Sequence, residues 1–142
     1  MRLSQYVAKR NGVPFGSNRS LPNMLYRSLG AGSFVQFWRY WNPVWGYYLG
    51  KHVFKPLRQY VPASLAVLLT FGVSGLVHDG VIMAVRQDLA LIFTPWFLLM
   101  ALWLLISEAI GLRYHGSPWI ARVVINTLTI GVFFVMAWMM QV

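Results

Sequence analysis

Residues 34–83 read FVQFWRYWNPVWGYYLGKHVFKPLRQYVPASLAVLLTFGVSGLVHDGVIM, and three textures follow one another in them. An aromatic block ends at Asn42 and Pro43, and a basic segment runs from Lys51 to Arg58. A long apolar run from Pro62 to Val85 then encloses the polar cluster SGLVHDG. As a helix rising about 1.5 Å per residue, that run is roughly 36 Å long, enough to cross a hydrocarbon core of about 30 Å. A histidine followed at once by an aspartate, His78 and Asp79, is expensive to place inside such a span and therefore marks a task. Thr70, Ser74 and His78 are spaced by four, so they share one helix face, and Gly75 leaves room for close approach. The competing structural reading of this stripe is hydrogen-bonding glue to a neighbouring span.

Outward from this stretch, the chain is too apolar for a soluble domain of its size. It has 142 residues, 58% hydrophobic, 16% aromatic and 11% charged, more apolar surface than so small a core can cover. Further apolar runs at about 89–111 and 119–140 predict two more spans. The first pair is joined by Arg86, Gln87 and Asp88 and is therefore antiparallel. The run lengths suit helices, not the ten-residue alternating strands of a barrel. The expectation is an all-α integral membrane protein of three to four transmembrane helices plus a broken aromatic-rich segment over 34–58. Residues 1–33 form a basic N-terminal region, loop or interfacial helix, since Gly12, Pro14, Gly16 and Pro22 cannot share one regular element. No removable leader is expected at Met1.

The aromatic density from Phe34 to Tyr48 is that of a headgroup-level belt. Pro43 removes a backbone donor and pushes Asn42 out of helical geometry, which predicts a break there with the Asn42 carboxamide available for contacts. Broken backbone at membrane depth needs protein or a watery cavity around it. The structural alternative is an interfacial anchor whose Asn-Pro merely turns the chain. Pro56 is expected to break any helix between Lys51, Lys55 and Arg58. Net charge is +9, but the basic residues flank apolar runs instead of forming one polar face, which argues against nucleic acid and for anionic headgroups with the basic side cytoplasmic. A bacterial inner (plasma) membrane is the expected location. Glu108, near a span end, is expected to reach toward Arg113. The chain has no cysteine, so thiolate ligation and a catalytic thiol are excluded. His52, His78 and His115 lack metal-ligand spacing, and no metal is expected.

FWRYWNPVWGYYLGKHVFKPL followed by TFGVSGLVHDG resembles the membrane-bound O-acyltransferase (MBOAT) family, especially the branch with wax synthases and sterol or diacylglycerol acyltransferases. In that family an aromatic-rich motif carries an asparagine or a histidine, and a membrane-embedded histidine follows some three dozen residues later. Asn42 and His78 match these two positions, and Asp79 matches an acidic residue that often follows. The resemblance implies transfer of a fatty acyl group from a thioester such as acyl-CoA to a hydroxyl acceptor, with no further cofactor. Family members have more spans than are legible here, so a homo-oligomer or a larger membrane partner is an expected companion.

The residues also carry that chemistry on their own terms. An imidazole in apolar surroundings stays neutral and can take a proton from an alcohol attacking a thioester, a general-base contribution of about 10² to 10⁴ in rate. Asn42, a neutral donor and acceptor, suits orienting the hydroxyl or holding the carbonyl oxygen. Asp79, Ser74 and Trp41 are supporting candidates, and Asp79 pairs with Arg86 or with backbone donors. Lys51, Lys55 and Arg58 are candidates for donor phosphates, with headgroup binding as their alternative role. The competing functions are a non-catalytic scaffold or partial acyltransferase subunit needing a partner, and a small carrier with His78 and Asp79 as a proton relay.

Overall fold

Eight α-helices, one π-helical turn and no strand make up the chain in a computed structural model that describes residues 1–142. They are α1 (Leu3–Asn11), α2 (Ser20–Leu29), α3 (Phe34–Tyr40), α4 (Pro43–Leu49), the π-turn (Gly50–Phe54), α5 (Lys55–Leu57), α6 (Ala63–Arg86), α7 (Phe93–Ala109) and α8 (Trp119–Met139). By length and composition α6 and α8 can cross a membrane, while α7 is apolar but only 17 residues long. Two compact units emerge, one of residues 1–48 with 107–128 and the other of 49–106 with 129–142.

The first unit is held by aromatic stacking and one polar hub. Phe34 and Phe37 are buried with Val7 and Ala31, and Phe37 stacks on both Phe34 and Trp41 at centroid distances of 5.8 and 5.5 Å. The rings read as a belt thus pack partly on one another, with Trp41 spent on that stack. Asn126 of α8, 0% exposed, donates from Nδ2 to the carbonyls of Leu29 (2.7 Å) and Ala31 (3.0 Å). Its Oδ1 accepts from the Tyr114 hydroxyl at 2.6 Å. The Tyr114 N–H donates to the Gly32 carbonyl at 2.8 Å. The turn after α2 is clasped so closely that a Cβ at Gly30 would run into the Trp119 indole and one at Gly32 into His115. Glu108 pairs with Arg113 at 2.9 Å, with both side chains well exposed, in the direction the span-end charge pattern suggests.

The second unit contains all of α6, and that helix is inside out relative to a soluble one. Ala66, Thr70, Ser74, Gly75 and Asp79 are buried, whereas Leu65, Leu69, Val73, Leu76, Val77, Val81 and Val85 are exposed. Small and polar residues inside with branched aliphatics outside is the arrangement a lipid solvent favours, because lipid tails solvate the aliphatics while close contacts and hydrogen bonds hold helices together. On the other side of α7, the Trp96 indole N–H donates to the Ile130 carbonyl at 3.1 Å, and its ring meets Phe134 edge-on.

Three local expectations change. The apolar run at 89–111 becomes a helix only from Phe93, because the backbone donors of Ile92, Phe93 and Thr94 are taken by the Asp79 carboxylate. The connection from α6 is therefore residues 87–92, longer than three. Pro56 does not end the helical path; the wide π-turn sits just before it, where looser winding accommodates a ring that would crowd the carbonyl four residues back. Pro22, read among the breakers, sits inside α2, which begins at Ser20, because it falls in the first turn, where a missing N–H costs nothing.

Candidate active site

His78 lies two thirds of the way along α6, half-buried. Its Nδ1 is 2.6 Å from the Ser74 carbonyl oxygen, one helical turn back. A carbonyl can only accept, so Nδ1 is the protonated nitrogen and the lone pair of the neutral ring is on Nε2. The imidazole stacks on Phe93 at 5.3 Å and 30°, and Phe97 lies 5.2 Å away. These two rings are one turn apart on α7 and give the histidine an apolar wall.

The polar stripe is satisfied in part within its own helix, since the Thr70 hydroxyl donates to the Ala66 carbonyl at 2.6 Å. Ser74 is buried and acts on His78 through its carbonyl. Asp79 points elsewhere. Consecutive helix residues diverge by about 100°, and its carboxylate accepts from the N–H groups of Ile92 (3.0 Å), Phe93 (2.8 Å) and Thr94 (2.7 Å) and from the Thr94 hydroxyl (2.6 Å). Of the two partners foreseen for it, the backbone donors hold it.

Asn42 belongs to the first unit. The predicted break is there, between Tyr40 and Pro43, and Asn42 adopts φ 40°, a left-handed conformation that asparagine tolerates better than most residues. Its Oδ1 accepts from the Trp45 N–H at 3.2 Å and so caps α4, with Pro43 at the first helical position. Its own N–H points at the Met24 thioether sulfur at 3.2 Å. The carboxamide foreseen as available is thus engaged through its oxygen, which leaves the exposed amide NH₂. Lys51 and Lys55 are exposed, and the Arg58 guanidinium donates to the Val61 carbonyl at 2.9 Å.

A family model described as MBOAT, membrane-bound O-acyltransferase family, matches residues 6–141. The chain belongs to this family. The match takes in most of both compact units and every candidate site residue, and membership implies a membrane-bound O-acyltransferase activity on lipid and acyl substrates. No match to the chain was found among curated proteins or among solved structures. An integral membrane position follows both from the MBOAT assignment and from the apolar helices.

Pattern reading missed Phe93 and Phe97, which stand against His78, and Thr94, which bonds Asp79. Their role depends on how two helices pair, and nothing in a uniformly apolar run singles them out. Asn126 could have been found, being an asparagine inside a spanning stretch, VVINTLTIGV.

Proposed function

We propose that this MBOAT chain transfers a fatty acyl group from an acyl thioester, such as acyl-CoA, to a hydroxyl acceptor, with His78 as general base. The observation that carries the reading is the hydrogen bond from Nδ1 to the Ser74 carbonyl, which assigns the lone pair to Nε2 in a ring walled by phenylalanines. Nε2 takes the proton of the acceptor hydroxyl as its oxygen attacks the thioester carbonyl. The carbon–sulfur bond then breaks, and the departing thiolate recovers the proton from the imidazolium. Ester and free thiol are the products, and no cysteine or cofactor is required. Asn42, in the other unit, is proposed as an orienting residue on its motif position alone, and Lys51 and Lys55 suit the phosphates of the donor, with Arg58 less so because it is turned toward Val61. The wax synthase and sterol or diacylglycerol acyltransferase branch, a plasma membrane location and cytoplasmic basic loops complete the reading.

A second reading, a subunit that completes its chamber with copies of itself or a partner, is favoured by one observation. Only two helices are long enough to span, with a short α7 between them.

The test is turnover by the purified full chain in nanodiscs with labelled long-chain acyl-CoA and alcohol acceptors. His78→Ala should lower turnover about 10² to 10⁴-fold; wild-type turnover in that variant overturns the proposal. Asn42→Asp retains a capping oxygen while removing the amide donors, so a fall in kcat with unchanged stability supports the orienting role, and unchanged kcat limits Asn42 to capping α4.

A further inference from the structure

We infer that Asp79 is a positioning residue for the His78 reaction, pinning the start of α7 to α6 so that Phe93 and Phe97 stand against the imidazole. The inference rests on the acyl-transfer reading of His78.

A helix leaves its first four N–H groups without partners inside itself. For α7 these belong to Ile92, Phe93, Thr94 and residue 95. Residue 95 is Pro95, which has no N–H, and the first bond within the helix runs from the Trp96 N–H to the Ile92 carbonyl at 3.3 Å. The other three donors, with the Thr94 hydroxyl, all go to the two oxygens of Asp79 at 2.6–3.0 Å. One carboxylate from a different helix therefore satisfies the whole α7 start. Asp79 is 1% exposed, and its two oxygens meet all four of these groups.

The pin acts next to the reactive ring. Phe93, whose N–H Asp79 holds at 2.8 Å, is the same residue whose ring stacks on His78 at 5.3 Å. Phe97 follows one turn later at 5.2 Å. One turn before Asp79, Gly75 lets the α7 backbone approach so closely that a Cβ there would lie 2.6 Å from the Thr94 Cα. Gly75 and Asp79 fix the height and the rotation of α7, and the two phenylalanines inherit both. Asp79 does not orient the imidazole as the carboxylate of a dyad would, because Nδ1 is bonded to Ser74. A displacement of the wall by about 1 Å is enough to cost roughly 10²-fold in rate.

The experiment uses the full chain in nanodiscs with Asp79→Asn, Thr94→Val and Thr94→Ser. It reads kcat and KM for an acyl-CoA, together with the ¹H–¹³C signals of the His78 ring, assigned by their loss in His78→Gln. Asparagine keeps the shape but places an NH₂ against the Thr94 donors. Asp79→Asn should lower kcat about 10 to 100-fold with KM within about twofold, and should move the His78 ring signals by removing the ring currents of Phe93 and Phe97. Thr94→Val, losing one bond of four, should shift both readouts partway, and Thr94→Ser should shift neither. His78 signals at wild-type positions in folded Asp79→Asn overturn the inference, as does wild-type kcat with displaced signals. If Asp79→Asn does not fold, the same two outcomes in Thr94→Val decide. Absence of turnover in wild type overturns the acyl-transfer reading itself and with it the catalytic purpose of the pin. Unmoved signals beside an active wild type overturn the pin alone.

Discussion

Gly75→Ala is the most direct test of how α6 and α7 pair. A Cβ at this position would lie 2.6 Å from the Thr94 Cα and 3.0 Å from both the Thr94 N and the Phe93 O. All three are backbone atoms, so no side-chain rotation relieves the contact. Carbon atoms pack best about 3.5 to 4.0 Å apart, so the α7 start must retreat by roughly 1 Å. That retreat would carry the Asp79 hydrogen bonds, now 2.7–3.0 Å to backbone nitrogen, beyond useful range. The helix contains its own controls. A Cβ at Gly80 meets nothing within 4 Å, and one at Gly72 meets only the Leu98 Cδ2 at an ordinary 3.5 Å. Replacing glycine by alanine inside a helix gains about 1 kcal/mol at any of these positions. The difference between Gly75→Ala and Gly80→Ala cancels that gain and isolates the crowding, about 1–3 kcal/mol. Unfolding of the full chain in micelles by a titrated denaturing detergent, followed by circular dichroism, should rank Gly80→Ala and Gly72→Ala together and Gly75→Ala well below. A Gly75→Ala stability within about 0.5 kcal/mol of Gly80→Ala, the scatter of an inconsequential substitution, would refute the close pairing of α6 with the α7 start.

Two further outcomes concern the other unit. Asn126→Leu removes three hydrogen bonds and strands two carbonyls and a hydroxyl, so the same unfolding assay should show a loss of about 2–4 kcal/mol at roughly 0.6–1.5 per bond; an unchanged midpoint would mean that the α2–α3 turn is held by something else. Burial pushes the Tyr114 hydroxyl up from 10.0 to about 12, so the folded chain keeps a proton that the unfolded chain releases. The associated stability is complete below pH 10 and declines as pH rises toward 12. The wild-type midpoint should fall more steeply than that of Tyr114→Phe over roughly pH 9 to 12, and parallel curves would contradict the shift.

Much of the architecture was written in the local pattern. The Asn42–Pro43 break, the length of α6, the start of α8 at Trp119 and the four-residue stripe that puts His78 beside the Ser74 carbonyl all follow from hydropathy, proline chemistry and helix period. These are properties of neighbours in sequence, and a single helix expresses them without help. Leu89 to Ile92 marks where such reading ends. By hydropathy they belong to the helix that follows, yet α7 begins at Phe93 because its N–H partners are on Asp79, 13 to 15 residues away. The π-turn before Pro56 and the engagement of the Asn42 oxygen as a cap are likewise settled by how particular donors and acceptors are shared.

Composition and periodicity alone determined that this chain lies in a membrane, that it is helical and that an imidazole sits inside a span, since each depends on the free energy of side chains in lipid and on the winding of one helix. Which rings wall that imidazole, and which carboxylate holds them there, was decided only in three dimensions. A hydrogen bond between helices is fixed by their relative height and rotation, and no run of residues encodes that by itself.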